Sequence, residues 1–154
     1  MRIVVLGTGP FAVPMFQSLL DSPHDVPALI TRPTAPAKGR EKAPVNPMRL
    51  LAESRGLVVH APQSINSDEG RRLMERLAPE LLVVCDYGQI LAADVLALSP
   101  LGGINLHASL LPKYRGAAPI QWALLSGESE TGVTVIHMTP RMDGGGGRCF
   151  LPGA

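Results

Sequence analysis

Short unbroken apolar runs alternate with amphipathic stretches along most of this chain. Arg2–Leu6 (RIVVL), about Val26–Ile30, Leu57–His60 and Glu80–Tyr87 (ELLVVCDY) have the length and β-branched content of buried strands. Between them the period changes to that of helices: from the Gly7–Ala12 turn to about Asp21, Val45–Arg55, and a third helix that ends near Ala78-Pro79. Ser67 precedes Asp68 and Glu69 as an N-cap ahead of first-turn acids, and Gly56 is placed as the residue just past the second helix. A short helix over about Ala92–Leu98 leads through Pro-Leu-Gly-Gly into a further strand, GGINLH. A helix over Ala117–Leu125 follows, with Pro119 in its first turn. Gly132–Thr139 is the last strand read, alternating Val133, Val135 and His137 against Thr134, Ile136 and Met138. Strands interleaved with helices, with apolar residues on both strand faces, predict an α/β fold: a doubly wound, Rossmann-like, mostly parallel sheet.

Composition narrows the class. With 154 residues and 45% hydrophobic content the chain can bury one real core, and a formal net charge of +1 neither requires nor excludes a nucleic-acid partner. Cys85 sits in an apolar run as a core thiol, and the two cysteines with four histidines form no metal-ligand spacing, so no metal is expected. The amino terminus reads as a first strand, not a signal peptide, and no apolar run approaches the ~18–20 residues of a membrane span. The expectation is a reducing, cytoplasmic setting with no membrane partner.

Two stretches invite ligands. Gly7-Thr8-Gly9-Pro10-Phe11-Ala12 follows the first strand in the form G-x-G-x-x-A, the opening of dinucleotide-binding folds. Pro10 removes one phosphate-facing N–H, and the second strand ends in Thr31-Arg32 instead of an acid, which leaves an NADP-dependent oxidoreductase as the rival reading. The structural alternative is that the glycines let the first helix start close to the sheet. Residues 32–47, RPTAPAKGREKAPVNP, are a loop rich in proline. Arg32, Lys38, Arg40 and Lys42 face only Glu41, as either a solvated surface or an arm that meets phosphates.

The densest chemistry lies in Gly102–Gln121, GGINLHASLLPKYRGAAPIQ. Asn105 and His107 are two apart, so a strand projects them side by side at its carboxyl end, where open α/β sheets bind ligands. An amide that can donate to an oxyanion, beside an imidazole that can move a proton, suits acyl transfer. By itself such a pair is as readily a satisfied polar contact. The run Asn105, His107, Ser109-Leu110-Leu111-Pro112, Lys113-Tyr114 and Arg115-Gly116-Ala117-Ala118-Pro119-Ile120-Gln121 resembles the catalytic segment of the methionyl-tRNA formyltransferases. GTGPFAVP resembles that family's opening turn, and Tyr87-Gly88-Gln89-Ile90-Leu91 its folate-pocket turn, with Asp86 where alanine is usual. The Asn-x-His and Leu-Pro parts are shared with other folate-dependent formyltransferases.

The resemblance spans about residues 1–144 and implies a formyltransferase fold over 1–143. It implies transfer of a formyl group from 10-formyltetrahydrofolate to the amine of initiator methionyl-tRNA; a monomer is expected. It implies catalytic roles for Asn105, His107 and Asp143, the last completing the set from an Asp that would otherwise read as a turn residue. Ser109, Leu110, Leu111, Pro112, Tyr87, Gly88, Ile90 and Leu91 would shape the folate pocket. Arg32, Lys38, Arg40, Lys42 and Arg115 would meet tRNA. Residues 144–154 depart from the family as a glycine-rich tail, so its C-terminal strands and β-barrel domain are expected to be absent. A formyltransferase acting on another small amine and an inactive fragment are the further alternatives. His60 and His137 are read as structural, and Trp122 as core or tRNA-facing.

Overall fold

The computed structural model describes residues 1–34, 44–139, 143 and 145–150. Seven strands form one sheet in the order β3-β2-β1-β4-β5-β6-β7. They are β1 (Ile3–Gly7), β2 (Ala28–Ile30), β3 (Val58–His60), β4 (Leu81–Cys85), β5 (Gly103–His107), β6 (Val133–His137) and β7 (Gly147–Phe150). The first five are parallel, and β6 and β7 are antiparallel additions. Strand order reverses about β1, as in a doubly wound sheet.

Period-two alternation in β1 and β4 builds two cores. Val4, Leu6, Leu82 and Val84 face one side, against Leu73 and Met74 of α3 (Asp68–Leu77) and Val95 and Leu96 of α4 (Ala93–Leu96). Ile3, Val5, Val83 and Cys85 face the other, against Phe16 of α1 (Val13–Leu20) and Met48 and Ala52 of α2 (Pro47–Ser54). Dry walls on both faces explain the unbroken apolar runs. Burial and the adjacent Asp86 charge push the Cys85 thiol up to about 12, which makes it an inert core group at neutral pH.

Helix ends follow local chemistry. Asn46 accepts from Arg49 N at 3.0 Å to cap α2, and Ser67 accepts from Gly70 N at 3.2 Å to cap α3. A single 3-10 turn, Pro10–Ala12, intervenes before α1. The second and last predicted helices start later than read, at Pro47 and Pro119, because a proline suits the first helical position and not a later one. Trp122, on α5 (Pro119–Leu125), is 57% exposed and is not core. His60 is half-buried, and burial with the nearby Arg76 charge holds its imidazole below the ordinary range.

One expectation is corrected. The stretch read as a tail without further strands contributes β7, paired with β6 from Ile136↔Gly147 to Val133↔Phe150. The glycines that argued against a strand permit this one. A Cβ on Gly147 would overlap the Val135 carbonyl oxygen, and one on Gly145 that of His137. The backbone therefore approaches β6 more closely than any side chain would allow, and His137 N donates to Gly146 O at 3.0 Å.

Candidate active site

β5 ends the parallel block. Its Ile104 and Leu106 pack on the core that contains Phe16, so Asn105 and His107 share the opposite face. Asp143, at the entrance to the β7 arm, is brought to both. Asn105 Nδ2 lies 3.4 Å from Asp143 Oδ1, and His107 Nδ1 lies 3.6 Å from Asp143 Oδ2. The first is a long hydrogen bond and the second an ion-pair distance, so the three groups are clustered without being locked together. The side chains of His107 and Asp143 are 6% and 9% exposed. Gly116 N donates to Asp143 Oδ2 at 2.8 Å and fixes the carboxylate from the far end of the loop.

The other imidazole nitrogen settles the tautomer. His107 Nε2 lies 2.8 Å from the main-chain oxygen of Tyr114, and a carbonyl only accepts, so Nε2 carries hydrogen. Nδ1 is then the position at which the ring gains or loses a proton, and it faces Asp143. A proton there would place an imidazolium 3.6 Å from the Asp143 carboxylate.

The loop between β5 and α5 is stapled at its base. Thr134 Oγ1 donates to Ser109 O at 2.6 Å and accepts from Leu111 N at 3.1 Å, while Ser109 Oγ donates to Lys113 O at 2.7 Å. A cavity of about 200 Å³ opens beside it, lined by Leu111, Pro112, Arg115, Thr134, Ile136 and Asp143 with glycines of the β7 arm. A second, of about 250 Å³, lies between Leu110, Pro112, Tyr114 and the turn Glu128–Thr131.

The remaining expected residues divide. Leu111 and Pro112 wall the Asp143 cavity, Leu110 the neighbouring one, and Ser109 is fully buried as a loop staple. Tyr87 is 2% exposed and Leu91 is equally buried, both in the core, so their side chains cannot reach a ligand and only their backbone could. Burial drives the Tyr87 hydroxyl up to about 12, against a smaller pull from Arg32. Gly88 and Ile90 are at the surface. Arg115 is exposed at the Asp143 cavity, and Arg32 is exposed after β2, its main-chain N donating to Thr8 Oγ1 at 3.2 Å. Lys38, Arg40 and Lys42 lie outside the described residues. The Gly116 amide and the Thr134 hydroxyl were missed in the sequence, since neither residue type marks such a contact.

The glycine turn after β1 is closed. Thr8 N and Gly9 N point at Asp86 O at 3.1 and 3.4 Å, and a Cβ on Gly9 would collide with the Asp86 carboxylate. Neither amide is free to cradle a phosphate, and the glycine serves close packing. Asp86 itself has φ 48, a left-handed backbone that aspartate tolerates better than most residues.

Fold and site together define a class: an open α/β domain with an amide, an imidazole and a carboxylate gathered at the carboxyl edge of its sheet, a set suited to acyl transfer. Within that class, residues 1–147 match the family described as formyl transferase, and the chain belongs to it. The methionyl-tRNA formyltransferase of Rhodopirellula baltica is 57% identical over 149 residues, covering 94% of this chain and 44% of that protein. That of Methylococcus capsulatus is 48% identical over 146 residues, covering 94% and 47%. The chain thus spans about half the length of the curated relatives it matches. Among solved structures, phosphoribosylglycinamide formyltransferase from Bacillus halodurans superposes with a TM-score of 0.75 at 19% identity, over 98% of this chain and 80% of that one, a likeness of fold. Among the described residues, no helix is long and apolar enough to cross a membrane.

Proposed function

We propose that this chain carries the chemistry of a methionyl-tRNA formyltransferase: transfer of a formyl group from 10-formyltetrahydrofolate to the α-amine of methionine on initiator tRNA. The observation that carries the reading is the convergence of Asn105, His107 and Asp143 beside a cavity, in a chain 57% identical to a relative of that name. The α-amine is partly neutral near pH 7 and needs positioning more than activation. Its lone pair forms a bond to the formyl carbon, and the carbonyl oxygen takes up the charge. The Asn105 amide carries two hydrogens and, among the described residues, gives one to Asp143, which leaves the other for that oxygen. The bond to the folate nitrogen then breaks. The attacking nitrogen passes its proton to His107 Nδ1, and the ring hands that proton to the leaving folate nitrogen, so it returns to its neutral starting state. Asp143 stabilises the charged ring and fixes its Nδ1 side.

Leu111, Pro112 and Arg115 line the cavity the folate donor would enter. Arg32 and Arg115 follow the carboxyl ends of β2 and β5, in line with a polyanionic acceptor. The test is formyl transfer by this chain to charged initiator tRNA, with a nucleotide-sugar amine as control. Turnover of tRNA alone supports the reading. Turnover of the sugar amine alone would move the chain to another acceptor, and folate binding without any turnover would make it an inactive fragment.

A further inference from the structure

Tyr114 occupies a conformation that does not suit it. Its φ is 57°, in the left-handed region that a bulky side chain rarely adopts. The strain has a use: it aims the Tyr114 carbonyl at His107 Nε2, 2.8 Å away. Something must hold the residue there, and the structure supplies it from outside the catalytic cluster. The Tyr114 hydroxyl donates to Glu128 Oε1 at 2.7 Å, and the neighbouring Lys113 Nζ meets both Glu128 oxygens at 2.9 and 3.0 Å. Glu128 follows α5, and its own N–H donates to Ala123 O at 3.1 Å. The carboxylate thus grips two consecutive loop side chains from a helix end.

The bland account of Lys113–Glu128 is an exposed ion pair, worth little by itself. The Tyr114 hydroxyl makes the difference, because it joins that carboxylate to a strained residue whose carbonyl touches the imidazole. We propose that Glu128 is a positioning residue: through Tyr114 it holds His107 as its Nε2–H tautomer, leaving Nδ1 to face Asp143. The consequence for rate rests on the proposed formyl transfer; the consequence for the tautomer does not.

The experiment uses the full chain with 15N-labelled histidine. Long-range 1H–15N spectra of neutral His107 should show hydrogen on Nε2 alone. Tyr114→Phe keeps the ring and removes the grip, and Glu128→Ala removes it from the other side. Both should give a mixture of tautomers and lower kcat about tenfold, with KM within about twofold, as a misplaced catalytic group does. Glu128→Gln still accepts from Tyr114 and should restore the single tautomer and most of kcat. A pure Nε2–H signal in both Tyr114→Phe and Glu128→Ala would overturn the proposal. If the wild-type chain transfers no formyl group, the spectra still decide it, and only the functional reading fails.

Discussion

Two loops on one edge of the sheet begin from similar invitations and end in opposite states. The turn after β1 offers glycines at a strand-to-helix corner, yet the Thr8 and Gly9 amides already face Asp86 O and the Asp86 carboxylate fills the space over Gly9. The loop after β5 has no glycine motif of that kind. It nevertheless walls a cavity lined by Asp143, the carboxylate on which Asn105, His107 and Gly116 converge. A glycine turn binds phosphate only when its donors are unmatched; here they are matched from within. One corner therefore holds the fold together, and the other is available for chemistry.

The comparison can be broken at either end. The largest expected effect is at the open loop: His107→Ala should lower formyl transfer by ~10²–10⁴-fold, with the urea unfolding midpoint little changed. Asn105→Ala should follow, with kcat down ~10²–10³-fold if its amide meets the oxyanion. A loss confined to KM would instead make Asn105 a binding group.

At the closed turn the effects should be on stability. Gly9→Ala forces a methyl against the Asp86 carboxylate, pushes that side chain off its rotamer and should cost ~0.5–1.5 kcal/mol in urea unfolding, with kcat per folded molecule unchanged. Asp86→Gly accepts the left-handed backbone and removes the obstacle, so Gly9→Ala should cost much less in that background. Additive losses in the two variants would show that the contact is not the reason for the glycine.

The smallest effect concerns Asp86 and pH. Burial holds its carboxyl above the ordinary range, so the folded protein binds that proton more tightly than the unfolded chain does. Its stabilising contribution is full below the unfolded value and is lost as pH rises through the higher folded value. Asp86→Asn, which tolerates the same backbone, should therefore lose less stability than the wild type as pH rises above the ordinary carboxylate range of about 4. An identical pH slope in the two proteins would place the charge in open solvent.

Much of this was legible in the sequence for reasons that are local. Unbroken apolar runs such as Leu81–Cys85 mark strands covered on both faces, and the two-residue spacing of Asn105 and His107 places them on one face. Asp143 was found by resemblance alone: it is 38 residues from Asn105, and nothing local separates it from a turn aspartate. β7 was missed because glycine propensity describes an isolated strand, whereas Gly145 and Gly147 answer to the backbone of β6. Tyr87 stands in a turn that resembles a ligand pocket, but its ring belongs to the core, since a turn can offer its backbone outward while its side chain points inward.

The most direct test sets one substitution from each corner side by side, reading single-turnover formylation and urea unfolding on the same preparations. The account predicts that His107→Ala loses rate and keeps stability, while Gly9→Ala loses stability and keeps rate. A Gly9→Ala chain that stays fully folded but no longer transfers the formyl group, beside a His107→Ala chain that still does, would contradict it.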